Sequence, residues 1–368
     1  MKYLFLIMLI SLCACRSNDN NPQPSGEIPV STLKEARIDE NKIATLQKEI
    51  SSGKYNIHSI LLLRHNKLAY EHYFPGEDAV FPLLPVGRVE HAHDSLHDCM
   101  SVTKSVVSAC IGMAIAEGKI KSINDNIFNY LTGYEKYQTG TKKDLTIRHL
   151  LMMSSGLEWH EDVDYRDPGN SERQMSERSD VVDFVLSYNQ VAAPGSTWSY
   201  SGGCTMLLSK ILQRATGERI DSFARRRIFE PLGISKFNWA VREDGTVWAT
   251  SGLRLRSIDM AKFGMLYMNK GRWNNQQLIP VSWVLESTKW QINTDDPIAQ
   301  GYGYQFWCAR PTIGQPVDVV MAVGFGGQRI CLIPSLDVEI VMTAGNYNEL
   351  SDTSDKLLEQ YIFPAIQP

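Results

Sequence analysis

The sequence predicts an α+β protein, with one antiparallel sheet built from both ends of the chain, helices flanking it, and an inserted, mainly helical lobe. Five apolar, strand-like segments support this prediction, two near the start of the chain and three near its end. They cover residues 57–64, 67–73, 317–323, 328–333 and 338–343. The stretch between the two groups has helical and loop character, so the strands of both ends are expected to pair in one sheet.

The first elements are expected to be a helix over residues 34–51 and a hairpin that turns at residues 65–66. A loop rich in proline and histidine is predicted over 74–98, and the apolar helix after it ends at Gly118, a typical C-cap residue. The polar segment 158–178 has no periodicity and could form a lid over a cleft. Further helices are predicted at residues 146–153, 180–188, 205–216, 257–269, 280–289 and 354–362.

The size of the chain, 368 residues, allows one large domain or two interleaved lobes. Charged residues make up 21% and hydrophobic residues 43%, the formal net charge is −4, and there is no basic block. Nucleic-acid binding is therefore not expected. We expect a folded domain over residues 34–368, in which 34–118 and 300–368 form an α/β lobe and 119–299 form the helical lobe.

The N-terminus has the composition of an export signal. Residues 1–15 combine a short basic start with an apolar stretch that is too brief for a spanning helix, which needs about 20 residues. The segment ends in Leu-Cys-Ala-Cys15, which resembles the bacterial lipobox, and residues 16–33 would make a flexible tether. We expect lipidation at Cys15 and a position in the bacterial cell envelope, facing the periplasm or the exterior. A plain signal peptide, cleaved nearby, is the alternative.

The five cysteines after the signal segment form no pattern typical of disulfides or metal sites. Their number is odd and they are widely scattered, so we expect mostly buried free thiols. Cys99 lies two residues before a candidate nucleophile and could form a wall of its pocket. The five are Cys99, Cys110, Cys204, Cys308 and Cys331.

Three histidines in the 74–98 loop raise the question of a metal site. They are His91, His93 and His97. No carboxylate-histidine helix motif accompanies them, and loop histidines are usually solvated. We therefore predict no metal site here and no cofactor elsewhere.

Ser101 and Lys104 carry the chemistry that the sequence indicates. Lys104 is the only charged residue between Asp98 and Glu117, in apolar, helix-length sequence. Burial of a lysine favours its neutral amine, which can accept a proton. Residues three apart share one face of a helix, so this amine could activate the Ser101 hydroxyl as a nucleophile.

The position of Ser101 at a helix start would also give its backbone N–H to a developing oxyanion. The spacing alone is weak, because Ser-x-x-Lys also occurs at residues 31–34 and 51–54. Those two copies lie in polar sequence where the lysine can be solvated. From context alone, a snorkelling lysine is about as good an interpretation as catalysis.

Two other segments hold candidate site residues. Tyr200 lies in a turn of small residues just before a helix, where a phenol near a cationic lysine could ionise and relay protons. Taken alone, such a tyrosine is more often a packing residue. Paired glycines in segment 323–329 suit a backbone that a ligand approaches closely, and an N–H there could complete an oxyanion hole. A glycine-rich turn is the simpler interpretation of that segment.

Taken in order, the motifs resemble those of the serine β-lactamase-like hydrolase family. This family includes cephalosporinase-type β-lactamases, D-Ala-D-Ala carboxypeptidases, D-aminopeptidases, esterases and 6-aminohexanoate-dimer hydrolases, and Ser-x-x-Lys is one of its signatures. The resemblance covers about residues 50–345 and implies a β-lactamase/transpeptidase-like fold. It rests on Ser101-Val-Thr-Lys104, residues 146–151 and 154–157, residues 194–202, residues 252–264, and Gly326-Gly-Gln328.

The resemblance implies a role for each matching residue. Ser101 is the acylated nucleophile, Lys104 its base partner, and Tyr200 the first residue of a Tyr-x-Asn motif whose last position is Gly202 here. The third motif aligns best with residues 325–327, a register that could shift by one residue. The substrate-binding and oxyanion residues implied are Ser101, Gly202, Phe325, Gly326, Gly327 and Gln328, with the Gln328 N–H as second donor.

Two departures from the family motifs make the chain resemble most the branch of esterases and 6-aminohexanoate-dimer hydrolases. The amide side chain is missing at Gly202, and no cation stands at the third motif to receive a substrate carboxylate. We therefore expect an ester or amide hydrolase acting on a neutral small molecule or peptide by acyl-enzyme formation. The alternative is a penicillin-binding-type receptor or a D-Ala-D-Ala carboxypeptidase-like protein with slow or no turnover.

Overall fold

A computed structural model describes residues 26–348 and 353–367 of the chain. The predicted signal segment, Cys15 and the first part of the tether lie outside the described residues. The helices are α1 Glu40–Ser51, α2 Val102–Ala116, α3 Ile147–Leu151, α4 Ser171–Ser176, α5 Val181–Ser187, α6 Gly202–Thr216, α7 Ile220–Ala224, α8 Ser257–Met268, α9 Val281–Ser287, α10 Thr353–Leu357 and α11 Phe363–Ala365.

The strands are mostly short, and the longest lie near the two ends of the chain. They are β1 Ile57–Arg64, β2 Lys67–Tyr73, β3 Gly76–Val80, β4 Leu84–Val89, β5 His97–Asp98, β6 Asn238–Trp239, β7 Leu253–Leu255, β8 Arg272–Trp273, β9 Gln276–Gln277, β10 Ile292–Asn293, β11 Gly301–Tyr302, β12 Trp307–Ala309, β13 Thr312–Ile313, β14 Gln315–Pro316, β15 Val319–Gly324, β16 Gln328–Ile333 and β17 Val338–Ala344.

An eight-stranded antiparallel sheet joins the two ends of the chain. Its strand order is β10-β11-β12-β15-β16-β17-β1-β2, and β1 pairs with β17 so that Ile60 faces Met342. The prediction of one sheet completed by both chain ends is thus confirmed. The β1–β2 hairpin has the predicted bounds, and its turn residues His65 and Asn66 take positive φ values of 54° and 57°, as a type I′ turn requires.

Both faces of the large sheet are covered, which explains the apolar character of its strands. Along β1, Leu61 and Leu63 pack into a core shared with α2, α6 and α8. Ile60 and Leu62 point to the other face, into a second core shared with α1 and α11. Helix α2 lies within the first core, with its residues from Val102 to Ala114 all buried. The sheet therefore supports α2 and the residue at its start.

Two expectations need correction, and the structure adds detail to a third. The segment 74–98 is not a plain loop, because it contains β3, β4 and β5. Helix α1 begins only at Glu40, since the Asp39 side chain accepts hydrogen bonds from the Asn41 and Lys42 N–H groups and caps it. Segment 158–178 contains α4, capped by Asn170, and contributes buried residues to a cavity.

Within residues 26–348 and 353–367, none of the helices has the length and apolarity that crossing a bilayer demands. The division into an α/β lobe and a helical lobe stays a prediction.

Candidate active site

Ser101 stands where a strand turns sharply into a helix. Strand β5 pairs with β7, and Met100, two residues after the strand, has a φ of 45°, which is unusual for a residue with a side chain. Ser101 is the N-cap of α2. The Val102 and Thr103 N–H groups donate to Cys99 O and Met100 O. The Ser101 N–H has no partner among the described residues, so it is available to an oxyanion.

Lys104 lies on the same face of α2, one turn further on. Its Nζ is 2.9 Å from Ser101 Oγ and 3.1 Å from Thr250 O. Lys104 is only 1% exposed, so its amine does not line the cavity itself and contacts the Ser101 hydroxyl, which does. The sequence analysis left a snorkelling lysine as the alternative, and the structure excludes it, because the amine points inward and contacts the hydroxyl.

Tyr200 lies on the other side of Ser101 and interacts with its hydroxyl. Its ring stacks on Trp307 at 5.5 Å between centroids, and Lys104 Nζ sits 5.0 Å from the ring centroid. Burial raises the pKa of Tyr200 well above its ordinary value, and the negative charge of the Glu172 carboxylate acts in the same direction. The expected ionised phenol is therefore wrong. Tyr200 is a neutral phenol, which can donate a proton but does not begin as a base.

Two glutamates lie beside Ser101, Lys104 and Tyr200. The sequence analysis did not recognise them as site residues. Glu161 Oε2 accepts hydrogen bonds from Trp159 Nε1 at 2.7 Å and from the Gly202 N–H at 2.6 Å. Glu172 Oε1 accepts from the hydroxyls of Thr250 and Ser251. The two side chains are also hydrogen-bonded to each other. Two carboxyl groups this close share a proton rather than both ionising.

The surroundings decide which glutamate holds the shared proton. Burial raises the pKa of Glu161 well above its ordinary value, and the charge of Glu172 adds to the effect. Burial also acts to raise the pKa of Glu172, but the positive charge that Lys104 carries when it is an ammonium, together with the donated hydrogen bonds, outweighs burial, so the pKa of Glu172 is lowered. Glu161 is thus the protonated partner, and Glu172 is a buried carboxylate facing the Lys104 amine.

The glutamate pair occupies the space next to Gly202, where the family motif has an asparagine. A Cβ on Gly202 would lie 3.1 Å from Glu161 Oε2 and 3.2 Å from Glu172 Oε2. Both distances are tighter than ordinary van der Waals contact. The chain therefore replaces one amide side chain with two carboxyl groups that reach the site from another segment.

A cavity of about 310 Å³ opens in front of Ser101. Aromatic residues form much of its wall, and the Asn346 amide nitrogen and the Tyr347 hydroxyl are buried there without a hydrogen-bond partner among the described residues. Four carboxyl groups also line it, from Glu161, Asp162, Asp164 and Glu172. No lysine, arginine or histidine belongs to the lining formed by residues 26–348. The aromatic wall consists of Phe81, Tyr165, Tyr200, Trp307, Phe325 and Tyr347.

The glycine-rich third motif borders the cavity. Phe325, Gly326 and Gly327 belong to the lining, in the turn between β15 and β16, and the two glycines have φ values of 82° and 101° that the turn itself requires. Gln328 is fully buried behind them, and its side-chain amide donates to Phe325 O and Ala344 O. The role of its backbone N–H as a second oxyanion donor stays a prediction.

Other residues of the sequence motifs stay away from the cavity. Thr146 and His149 form a capping box at the start of α3. Arg256 binds Asp259 at 2.6 Å between Nε and Oδ2, in a buried ion network that also includes Lys262 and Glu27. These motifs maintain the fold around the site.

The structure confirms part of what the sequence predicted for the cysteines and corrects what it predicted for two of the loop histidines. Cys99, Cys110, Cys204 and Cys308 are free and buried, as expected, and Cys331 is buried as well. Cys99 is fully buried and not part of the cavity lining, so its expected place in the pocket wall is wrong. His97 is only 2% exposed and the His91 side chain only 5%, which corrects the interpretation of both as solvated loop residues.

The Beta-lactamase family model matches residues 50–360. The chain belongs to the beta-lactamase family. This match covers most of the chain and agrees with the sequence resemblance and with the β-lactamase/transpeptidase-like fold. Relatives in the family are named as hydrolases, and the chain is a hydrolase of this family.

Three similar proteins show how far the likeness extends. The 6-aminohexanoate-dimer hydrolase of Paenarthrobacter ureafaciens is 24% identical over 305 residues, which are 77% of this chain and 71% of the relative. Lovastatin esterase of Penicillium rubens is 29% identical over 126 residues, or 32% of this chain and 28% of the relative. The structure of EstCE1, a hydrolase with promiscuous acyltransferase activity, has a TM-score of 0.71 at 13% identity and covers 90% of this chain and 98% of its own.

Proposed function

We propose that this chain hydrolyses a carboxylic ester or amide through an acyl-enzyme on Ser101. The contact of 2.9 Å between Lys104 Nζ and Ser101 Oγ, at the floor of the cavity, carries this proposal. A buried amine beside a hydroxyl at a helix start is the arrangement that activates a serine. Relatives named for an amide substrate and for an ester substrate fit the same chemistry.

In the first half of the reaction, Lys104 takes the Ser101 proton as the oxygen attacks the substrate carbonyl. The lysine becomes an ammonium, and the Glu172 carboxylate that faces it compensates the new charge. The Ser101 N–H, which has no partner among the described residues, donates to the oxyanion, with the Gln328 N–H as the proposed second donor.

In the second half, the neutral Tyr200 phenol donates its proton to the leaving group, since its oxygen interacts with Ser101 and its pKa is raised. Tyr200 is then a phenolate near the Lys104 ammonium, and that ammonium keeps its proton until the Ser101 oxygen is released from the acyl group. Water then attacks the acyl-enzyme, and the same groups run in reverse to release the acid and regenerate Ser101.

The cavity wall favours a substrate without a carboxylate. Three of its four carboxyl groups, all except the protonated Glu161, would repel an anion, and no basic side chain of the described lining would pair with one. Its aromatic surface suits an apolar acyl or alcohol group. We infer a neutral ester or amide rather than a penicillin or a D-Ala-D-Ala peptide.

The decisive experiment is active-site labelling with a fluorophosphonate, followed by peptide mass spectrometry. We expect one adduct, on Ser101, which Ser101→Ala abolishes. Ser196→Ala is the matched control, because Ser196 is an exposed serine in the turn before Tyr200, and this variant should label like the wild type. Labelling at another residue would reject the assignment.

Turnover distinguishes an enzyme from a receptor. A panel of p-nitrophenyl esters, short linear amides, D-amino acid amides and a chromogenic cephalosporin should show multiple turnovers on at least one neutral ester or amide. A stable adduct on Ser101 with no turnover on any member of the panel would indicate a penicillin-binding-type receptor instead.

Export and lipid anchoring at Cys15 are also proposed, supported by the composition of residues 1–15. The full chain expressed in a bacterium should sediment with the membranes and incorporate labelled palmitate. Cys15→Ala should lose both properties, whereas retention of both would show that the anchor lies elsewhere.

A further inference from the structure

A cluster of three histidines and one aspartate lies outside the cavity, beside the strand that leads to Ser101. His58 comes from β1, Asp78 from β3, His91 from the segment after β4, and His97 from β5. One ligand atom from each residue lies within 4.8 Å of the others. The four residues come from different segments between residues 58 and 97, and the pairing of these segments in the fold brings them together.

The hydrogen bonds of two of these rings fix where their protons are. His97 Nδ1 lies 3.1 Å from Asp98 O, and His58 Nε2 lies 3.1 Å from Glu77 O. A carbonyl oxygen only accepts, so each of these nitrogens carries the proton of its ring. The other nitrogens, His58 Nδ1 and His97 Nε2, therefore both present lone pairs. They face each other at 2.8 Å, a contact that needs a positive charge between them.

His91 adds a third nitrogen without a partner. Its side chain is 5% exposed, and its Nε2 has no hydrogen-bond partner among the described residues although it is buried. It lies 4.0 Å from Asp78 Oδ2, and Asp78 Oδ1 lies 3.9 Å from both His58 Nδ1 and His97 Nε2. An orphaned buried nitrogen beside a carboxylate indicates an ion or a water.

A metal ion answers these observations better than a proton does. One proton between His58 Nδ1 and His97 Nε2 would satisfy only those two nitrogens, whereas ligand atoms of four residues converge here. A cation with several ligands can serve all of them, and neutral imidazole is the form that binds metals. The carbonyl groups bonded to His58 and His97 orient the rings in the way that second-shell partners do at metal sites.

We propose that His58, Asp78, His91 and His97 bind one Zn²⁺ ion. Three imidazoles and one carboxylate suit zinc in tetrahedral geometry, with bonds of about 2.0–2.2 Å and therefore about 3.3 Å between ligand atoms. The observed separations between ligand atoms run from 2.8 Å to as much as 4.8 Å, so the side chains must shift to close around the ion. The largest shift is at His91, whose ring stacks on His58 at 3.9 Å and would turn toward the ion.

The ion would have a structural role and would stabilise the segment that leads to Ser101. His97 precedes Ser101 by four residues, and Asp78 lies on the β3–β4 hairpin whose turn residues Phe81 and Leu83 line the cavity. Zinc would therefore join β1, this hairpin and β5 into one unit. It would touch neither the substrate nor Ser101.

The test is metal binding by the purified full chain after treatment with a chelator. We expect one Zn²⁺ per chain, a higher melting temperature with zinc than without, and visible absorption typical of tetrahedral Co²⁺ when cobalt replaces zinc. His91→Asn should weaken binding by at least about ten-fold, the scale on which metal sites respond to lost partners. Since His91 lies between strands, this variant should keep its fold, as circular dichroism can show.

His93→Asn is the matched control. His93 lies in the same segment, but its ring bonds Glu71 and Glu27 and does not belong to the cluster. This variant should bind zinc like the wild type. Binding of less than one ion per chain, an octahedral cobalt spectrum, or equal affinity of the wild type and His91→Asn would each overturn the proposal.

Discussion

The Gly202 backbone N–H donates to Glu161 Oε2 over 2.6 Å, at a position where a Cβ would approach that oxygen to 3.1 Å. The glycine and the carboxyl group thus depend on each other. Glu161 accepts a hydrogen bond from an N–H at the start of α6. The absence of a side chain at Gly202 leaves space for the carboxyl groups of Glu161 and Glu172, which share a proton. This pair supplies the negative charge next to Lys104.

Gly202→Asn should lower activity rather than restore the family motif. The added side chain would displace Glu161 and Glu172, and we expect kcat/KM on a p-nitrophenyl ester to fall at least about ten-fold. Gly217→Asn is a suitable control, because Gly217 caps α6 with a φ of 78° in open space, a conformation that asparagine accepts. Activity of Gly202→Asn equal to that of the control would contradict this account.

The two glutamates should respond differently to amide substitution. Glu161 is protonated, so Glu161→Gln conserves its charge and its ability to donate, and we expect kcat to change by only a few-fold. Glu172→Gln removes the carboxylate that compensates the Lys104 ammonium, and we expect a loss of about 100-fold in kcat.

Steady-state kinetics of both variants, with melting temperatures to show that each is folded, would test this asymmetry. A larger loss at Glu161 than at Glu172 would reverse the assignment of the proton.

Lys104→Met should remove the amine that acts as the base while keeping most of the volume of the aliphatic side chain. We expect kcat on the ester to fall by about 10³-fold, the scale of general base catalysis, with a small change in KM. The control is Lys262→Met, at a second buried lysine, which pairs with Glu27 and Asp259 away from the cavity. Lys262→Met should lose stability, but its activity per folded molecule should stay near the wild-type value. Full activity of Lys104→Met would exclude the dyad.

Glu339 should make stability depend on pH. It is 3% exposed, both of its carboxyl oxygens lack a hydrogen-bond partner among the described residues, and burial raises its pKa well above the ordinary value. The folded chain therefore holds this proton where the unfolded chain, with a pKa of about 4.3, releases it. Above that pH the unfolded state binds fewer protons, so stability falls as pH rises, by about 1.4 kcal/mol per unit, until the raised pKa is passed.

Urea unfolding at pH 5.5, 6.5 and 7.5 would measure this contribution as the difference between the wild type and Glu339→Gln. The variant cannot ionise, so its stability relative to the wild type should improve with rising pH. A constant difference across the three pH values would show that Glu339 is ionised or solvated in the folded chain.

The rate of hydrolysis should depend on the charge of the substrate, and this dependence should weaken as the salt concentration rises. We expect p-nitrophenyl butyrate to be hydrolysed about ten-fold faster than p-nitrophenyl hemisuccinate at low ionic strength, because the carboxyl groups of the cavity repel the anion. The ratio should narrow at high salt, where exposed charges such as Asp162 are screened. A preference for the hemisuccinate would indicate a basic group that the described lining does not contain.

The features that the sequence determined by itself are local. Strands β1, β2 and β16 have the predicted bounds because continuous apolar segments and turn residues act over a few neighbours. The spacing of three places Ser101 and Lys104 on one face of a helix, although the sequence left open whether the amine contacts the hydroxyl or snorkels to solvent.

What the tertiary structure decided depends on residues that are distant in the chain. Glu161 and Glu172 lie in a polar segment without periodicity, and only its packing against α6 and Thr250 turns them into a buried acid pair beside Lys104. The same holds for His58, Asp78, His91 and His97, which looked like ordinary loop and strand residues. Protonation also belongs to this level, since burial and neighbouring charge, which no local pattern contains, make Tyr200 a neutral phenol and Glu172 an anion.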